Sequence, residues 1–119
     1  MARVLVVEDD ADLRTLIVRR IERAGHSVDE AATGEGAIRL LREREYDLIT
    51  LDINLPGISG WQVAYETASN PQTTHVPILV VSLTERDDAP QHGMVRVKGW
   101  LAKPFANHAL KRSVEELLG

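Results

Sequence analysis

Short apolar runs alternate with amphipathic segments along the whole chain. The runs have the length and residue types of β-strands, and they predict five strands, at residues 3–7, 27–31, 47–51, 77–82 and 98–102. Apolar residues at helical spacing follow each run. They predict a helix that ends at Gly25, helices at about 35–44, from Gly60 to Asn70 and at about 86–94, and a last helix that carries Leu110, Val114 and Leu117. Strand and helix therefore alternate five times.

The strength of the pattern differs between elements. Residues 27–31 alternate polar and apolar side chains, as an edge strand does, whereas residues 77–82 are apolar on both faces and predict a central strand. The segment 86–94 is the weakest helix because it contains Pro90 and Gly93. The first helix is predicted to have an inward face that consists of Leu13, Leu16, Ile17, Ile21 and Ala24.

This alternation predicts an α/β fold. Crossovers between parallel strands are right-handed, so five βα units favour a doubly wound (βα)5 three-layer sandwich of the flavodoxin-like kind. We expect a five-stranded parallel sheet of order 2-1-3-4-5, formed by a single domain over residues 1–119. In this order the first and third strands are neighbours where the strand order reverses, and ligands bind at the carboxyl ends of such strands.

Polar side chains stand at the carboxyl ends of four strands. The first strand runs into Glu8 and Asp9, the third runs into Asp52, the fourth ends on Ser82 and the fifth runs into Lys103. Carboxylates at one edge repel one another and either raise a pKa or bind a cation, and hard oxygen ligands suit Mg²⁺. Asp52 can act as a nucleophile on phosphorus, with the lysine and the hydroxyl contacting the phosphoryl group. Each residue alone is an ordinary cap or turn residue, but their shared edge predicts a phosphate-and-metal site.

Composition narrows the class of function. The chain has 44% apolar and 27% charged residues, a net charge of -4 and no cysteine, which disfavours a nucleic-acid surface, a disulfide framework and a thiolate metal site. Its four histidines lack metal-ligand spacing. No apolar run approaches membrane-spanning length and the first strand begins almost at once, so we expect no membrane contact and a cytoplasmic location.

Four motifs in order resemble the receiver domain of two-component response regulators. The motifs are Val6-Val7-Glu8-Asp9-Asp10, Leu51-Asp52-Ile53-Asn54-Leu55-Pro56-Gly57, Val80-Val81-Ser82 and Lys103-Pro104-Phe105. Trp100 precedes the lysine at the position where receivers carry a switch aromatic. The resemblance covers essentially the whole chain and therefore implies the receiver fold and its phosphorylation chemistry.

The resemblance implies a role for each acidic residue. Asp52 would accept a phosphoryl group from a histidine kinase or a histidine phosphotransfer protein, with Mg²⁺ as the cofactor. The metal ligands would be Asp9, Asp52 and the backbone carbonyl of Asn54, with Glu8 bound through water. The chain would then be a phosphoacceptor regulatory domain rather than an enzyme, and its only reactions would be its own phosphorylation and dephosphorylation.

Signal output, by the same resemblance, would begin at the phosphoryl group. Ser82 and Lys103 would contact this group, and movement of Ser82 would be coupled to a rotation of Trp100. A cis peptide bond would join Lys103 and Pro104. The surface formed by the 86–94 helix, the last strand and the last helix would change and bind a downstream protein effector or a fused output domain. The chain would be a stand-alone receiver or a piece of a larger regulator or hybrid kinase.

Three features bear on partner choice. Leu83 stands where the family usually has a small residue, and we expect it to slow the access of small phosphodonors or to alter partner choice. Residues 87–98 lack the usual small pair before the last strand, so the output helix is expected to be short or mobile. By analogy with the family, partners are expected to dock on the first helix, for example at Leu13, Arg14 and Ile17, and on the loop after the fifth strand.

Two other functions stay open at this point. A pseudo-receiver that docks proteins independently of phosphorylation would keep the same fold, and Leu83 and the unusual 87–98 segment favour it slightly. An aspartate-nucleophile phosphatase commonly carries a second acid two residues after the nucleophile. Here that position is Asn54, which cannot act as a general acid.

Overall fold

Helices cover both faces of a five-stranded parallel sheet in the computed structural model, which describes residues 1–83 and 97–119. The strands are β1 (Arg3–Val7), β2 (Ser27–Ala31), β3 (Leu48–Leu51), β4 (Ile78–Ser82) and β5 (Gly99–Ala102). The helices in these two ranges are α1 (Ala11–Arg23), α2 (Gly34–Glu43), α3 (Gly60–Ser69) and α4 (Asn107–Leu118), and none of the four is long and apolar enough to cross a bilayer. The helix predicted at 86–94 lies outside the described residues.

The order of the strands is β2-β1-β3-β4-β5, and every neighbouring pair is parallel. This confirms the predicted doubly wound α/β fold, with β2 at an edge and β4 inside the sheet. Val7, the last residue of β1, pairs with Ala31 on one side and with Leu51 on the other. Because the two central strands end in register, the residues that follow them, Glu8 and Asp52, emerge next to each other.

Two apolar layers hold the helices on the sheet. One layer packs α1 and α4 on one face through residues such as Ile17, Ile21 and Leu110, and the other packs α2 and α3 on the opposite face. The predicted inward face of α1 is wrong at two positions. Leu16 is 37% exposed, because the buried stripe is narrow and centred on Ile17 and Ile21, and Ala24 is exposed because the helix has already ended.

Local contacts fix where the helices begin beside the sheet edge. Asp10 caps α1, since its side chain accepts a hydrogen bond of 3.0 Å from the Leu13 amide, and Gly25 ends this helix with a positive φ of 97°. Gly60 opens α3 so close to the end of β3 that a Cβ atom there would lie 2.3 Å from the Asp52 carbonyl oxygen. The start of α3 therefore touches the backbone of the central acid.

Candidate functional site

The acidic residues lie side by side at the carboxyl ends of β1 and β3. The Glu8 amide donates to the Ala31 carbonyl and the Asp52 amide donates to the Val7 carbonyl, both at 3.0 Å, so the sheet's hydrogen bonds continue one residue past each strand. Carboxylate oxygens of Glu8, Asp9 and Asp52 lie within 4.8 Å of one another. Glu8 and Asp52 are buried, whereas Asp9 is exposed. The structure thus brings the three predicted acids together, with two of them shielded from water.

Lys103 reaches this cluster from the end of β5. Its Nζ lies 2.7 Å from Glu8 Oε1 and 3.0 Å from Asp52 Oδ2. All three side chains are nearly buried, with 12%, 2% and 5% of their surface exposed for Lys103, Glu8 and Asp52. The Lys103 amide continues the ladder by donating to the Ser82 carbonyl at 2.9 Å, and the peptide bond to Pro104 is cis, as predicted. One ammonium therefore serves two buried carboxylates.

The three close charges shift two pKa values. Burial raises the pKa of Glu8, and the nearby Asp52 charge adds to this, although the contacts with Lys103 and with the Asp10 amide oppose it. Burial alone would lower the pKa of Lys103, but its contacts with both carboxylates outweigh burial and raise that pKa above its ordinary value. The lysine therefore stays charged, and Glu8 is the acid whose ionisation the pocket disfavours.

The loop after β3 ties Asp52 to the predicted hydroxyl. The Asn54 amide donates to Asp52 Oδ1 at 3.0 Å, so both oxygens of this carboxylate have a partner. The Asn54 side chain donates to Ser82 Oγ at 3.4 Å, and Ser82 is fully buried at the end of β4. Leu83, the next residue, is 70% exposed. Ser82 is therefore connected to the acidic cluster through Asn54.

Trp100, the predicted switch residue, packs beside a second tryptophan. It lies on β5, half-buried, with its ring centroid 6.2 Å from that of Trp61 at an interplanar angle of 42°. Trp61 belongs to the first turn of α3, and both rings pack on the layer that covers α2 and α3. Trp61 is not among the site residues predicted from the sequence. The structure thus connects the strand that carries the predicted switch with α3, the helix whose start touches the Asp52 backbone.

Arg14 was missed as a part of the pocket. It was predicted to be a docking residue on α1, but its Nη1 donates to the Glu8 carbonyl and its Nε donates to Glu30 Oε1, both at 2.9 Å. A cation near the start of a helix opposes the helix dipole, which was a usable signal that this arginine has another partner. The docking prediction is wrong for Ile17, which is 1% exposed and belongs to the core.

The donor set fits a magnesium ion. Carboxylate oxygens are hard ligands, and Mg²⁺ characteristically takes one or two carboxylates together with water and phosphate oxygens. Glu8 Oε1 is buried and has no hydrogen-bond partner of regular geometry in residues 1–83 and 97–119, where the Lys103 ammonium is its close contact. A cation in this cluster would compensate the mutual repulsion of the acids. The acidic cluster therefore fits the Mg²⁺ cofactor predicted from the sequence.

Fold and pocket together define a class of protein. A buried carboxylate lies between a lysine and a loop amide, beside two more acids at the switch point of a 2-1-3-4-5 sheet, and this arrangement fits the phosphoacceptor site of a signalling domain. The family described as the response regulator receiver domain matches residues 4–115. The chain belongs to this family, whose members are regulatory phosphoacceptor domains of two-component signal transduction. They are phosphorylated by histidine kinases and are often fused to output domains.

Individual relatives agree with this assignment. The chain is 42% identical over 88 residues to the transcriptional regulatory protein AfsQ1 of Streptomyces coelicolor, an alignment that covers 74% of this chain but only 37% of that protein. The structure of the chemotaxis response regulator CheY4 of Vibrio cholerae superposes with a TM-score of 0.92 at 28% identity, covering 99% of each chain. That of the response regulator TrrA of Thermotoga maritima, in complex with Mg²⁺ and BeF, superposes with a TM-score of 0.87 at 32% identity, covering 99% of this chain and 100% of that one.

Proposed function

We propose that Asp52 is the phosphoacceptor of this receiver domain. The observation that carries the proposal is the environment of its carboxylate, in which Lys103 contacts one oxygen at 3.0 Å and the Asn54 amide donates to the other at 3.0 Å. These two donors orient the carboxylate and remain beside it when one oxygen bonds to phosphorus. Asp52 is also 4% exposed, so the resulting acyl phosphate is sheltered by the surrounding residues.

The proposed reaction is a phosphoryl transfer from a phosphohistidine of a kinase or a phosphotransfer protein. A carboxylate oxygen of Asp52 attacks the phosphorus atom, the new P–O bond forms as the P–N bond breaks, and the histidine nitrogen leaves with the electron pair of that bond. Charge moves onto the phosphoryl oxygens during the transfer. We propose that the Lys103 ammonium, 3.0 Å from the reacting carboxylate, stabilises that charge, and that the Ser82 hydroxyl, which contacts the Asn54 side chain, does so after moving toward the phosphoryl group.

Asp9, Asp52 and the backbone carbonyl of Asn54 are the proposed ligands of Mg²⁺, with Glu8 acting through water. Their support is the clustering of the three acids within 4.8 Å and the exposure of Asp9, which leaves the cluster open on one side. When bound, Mg²⁺ supplies positive charge beside the phosphoryl oxygens. These residues would hold that site, and the water-mediated role of Glu8 is the one that the family resemblance implies.

Phosphorylation would change the pocket from a carboxylate to a group with about two negative charges. We propose that Ser82 moves toward this group, which would break its contact with the Asn54 side chain, and that Trp100 rotates as Ser82 moves. Trp61, 6.2 Å from Trp100, would then lose its present packing. The output surface is proposed to include β5 and α4. The 86–94 segment, also predicted to belong to it, lies outside the described residues.

The wider context of the chain is proposed from the family. A single receiver domain over residues 1–119 would act in the cytoplasm with a histidine kinase or a phosphotransfer protein as donor. It would signal to a protein effector or a fused output domain, and it would turn over no external substrate. Support comes from the family match over residues 4–115. A docking function independent of phosphorylation would need no intact pocket. The complete set of pocket residues around Asp52 therefore favours signalling by phosphorylation.

Beryllofluoride with Mg²⁺ tests the proposal, because it mimics an aspartyl phosphate. Amide spectra and tryptophan fluorescence would be recorded for the parent chain, for Asp52→Asn and for the control Asp12→Asn, whose carboxylate is exposed on α1. We expect shifts at Ser82, Trp100 and Lys103 in the parent and in the control but none in Asp52→Asn. An unresponsive parent that is well folded would reject the proposal and leave the docking function as the explanation.

A further inference from the structure

We propose that Arg14 is a positioning residue of the metal site, where it fixes the turn between Glu8 and Asp9. The inference rests on the proposed function, because it concerns the affinity of that site for Mg²⁺. Arg14 lies on α1 near its start, and its guanidinium spans two groups: Nη1 donates to the Glu8 carbonyl and Nε donates to Glu30 Oε1, both at 2.9 Å. The planar fork of arginine allows both bonds at once, whereas a lysine ammonium is a single point of charge.

The bond to the Glu8 carbonyl acts on the peptide that joins Glu8 to Asp9. The Glu8 side chain is fixed independently, because Oε1 contacts Lys103 at 2.7 Å and Oε2 accepts a bond of 3.2 Å from the Asp10 amide. Within residues 1–83 and 97–119 the Asp9 side chain has no such contact; it is exposed, and its direction depends on the peptide before it. The arginine therefore orients the only one of the three acids that its own surroundings leave open.

Glu30 compensates the positive charge of Arg14. A bare guanidinium beside a pocket that binds a cation would oppose that binding by charge repulsion. Glu30, on β2 and 50% exposed, pairs with the Arg14 side chain, which is 18% exposed. The pair thus supplies one well-directed N–H donor to the turn while adding no net charge. An ion pair with so exposed a carboxylate contributes little to the free energy of unfolding. We therefore expect its effect on the affinity of the metal site instead.

The test is the dissociation constant of Mg²⁺, measured from amide shifts, in the full chain. Arg14→Met is expected to raise it about tenfold, the usual effect of removing a residue that orients metal ligands. Arg14→Lys should give an intermediate value, because the ammonium keeps the positive charge but lacks the planar fork that directs one N–H at each acceptor. The control is Arg19→Met, which removes an exposed arginine from the same helix and should leave the constant unchanged.

Two further readouts separate positioning from a structural role. In the metal-free protein, Arg14→Met should shift the amide signals of Asp9 and Asp10 while leaving those of the core unchanged. Glu30→Gln, which removes the negative charge that balances the guanidinium, should weaken Mg²⁺ binding about twofold to threefold.

Equal Mg²⁺ dissociation constants for the Arg14 and Arg19 variants would overturn the inference, even if Arg14→Met lowered the melting temperature. If Arg14→Met fails to fold, unchanged constants for Arg14→Lys and Glu30→Gln would overturn it instead. A parent chain that binds no Mg²⁺ would reject the proposed function as well.

Discussion

Removing the Lys103 ammonium should destabilise the metal-free protein and make its stability depend on Mg²⁺. In Lys103→Met the Glu8 and Asp52 side chains, 2% and 5% exposed, lose the cation that lies 2.7 and 3.0 Å from their oxygens. Two unit charges 4.8 Å apart, the upper bound for this cluster, repel each other by about 3.5 kcal/mol at an effective dielectric constant of about 20. Breaking a buried ion pair by removing one partner costs about 3–5 kcal/mol in other proteins. We therefore expect the free energy of unfolding to fall by about 3–4 kcal/mol near pH 7.

The size of this loss should depend on pH. Burial already raises the pKa of Glu8, and the loss of Lys103 raises it further. A carboxyl whose pKa is raised by folding contributes stability below its unfolded-state pKa and loses that contribution as pH rises through the folded-state value. The difference between variant and parent should therefore be largest near neutral pH and should shrink as the solution is acidified toward the unfolded-state pKa of Glu8, about 4.3.

Urea unfolding followed by tryptophan fluorescence and circular dichroism measures both effects. Mg²⁺ binds the native site only, so it should stabilise the variant and restore part of the loss. The control is Lys111→Met, where the lysine is 66% exposed and its pair with Glu115 is 3.9 Å long, and the change should stay below about 0.5 kcal/mol. The charge-balance reasoning would be refuted if Lys103→Met lowered the free energy of unfolding by the same amount near neutral pH and near the unfolded-state pKa of Glu8, with and without Mg²⁺. A loss no larger than that of the control would refute it too.

Three other changes test how the fold supports the pocket. Gly60→Ala places a Cβ atom 2.3 Å from the Asp52 carbonyl oxygen, so it should cost about 1–3 kcal/mol in urea unfolding and weaken Mg²⁺ binding; an unchanged metal affinity would mean that α3 does not position Asp52. Tyr46→Phe removes a buried bond of 2.7 Å to Asp29 Oδ2 and should cost about 1.5–3 kcal/mol near neutral pH. Burial raises the pKa of Tyr46, and the hydrogen bond to Asp29 and the charge of Asp29 add to this. The stability contributed by the neutral phenol is therefore complete below its unfolded-state pKa of about 10 and is lost at higher pH. A stability difference between variant and parent that does not narrow in alkaline unfolding experiments would contradict this. Asp10→Ala removes the cap of α1 and should cost about 1 kcal/mol in thermal unfolding, whereas Asp10→Asn, which keeps an accepting oxygen, should cost much less.

The sequence predicted the fold and the members of the pocket because both depend on periodicity and topology. Apolar runs place strand ends within a residue or two, and a parallel sheet gathers those ends at one edge, so Glu8, Asp52 and Lys103 had to meet there. The contacts within the pocket were beyond this reasoning. That Lys103 lies between two carboxylates, and that Asn54 contacts both Asp52 and Ser82, depends on side-chain directions that a strand pattern leaves open.

Arg14 shows why surface positions on a helix are harder to interpret than strand ends. A charged residue on an amphipathic helix is predicted to face solvent. Only the two acceptors of Arg14, one just after β1 and one on β2, reveal that it faces the sheet edge instead. Both acceptors are distant from the helix pattern, one being a backbone carbonyl that carries no side-chain signal. The same argument covers Trp61, whose partner Trp100 is on β5. Residues that connect different helices and strands can therefore be identified only from the structure, where these elements lie next to one another. In this chain Arg14 connects α1 to the acidic cluster, and Trp61 connects α3 to β5.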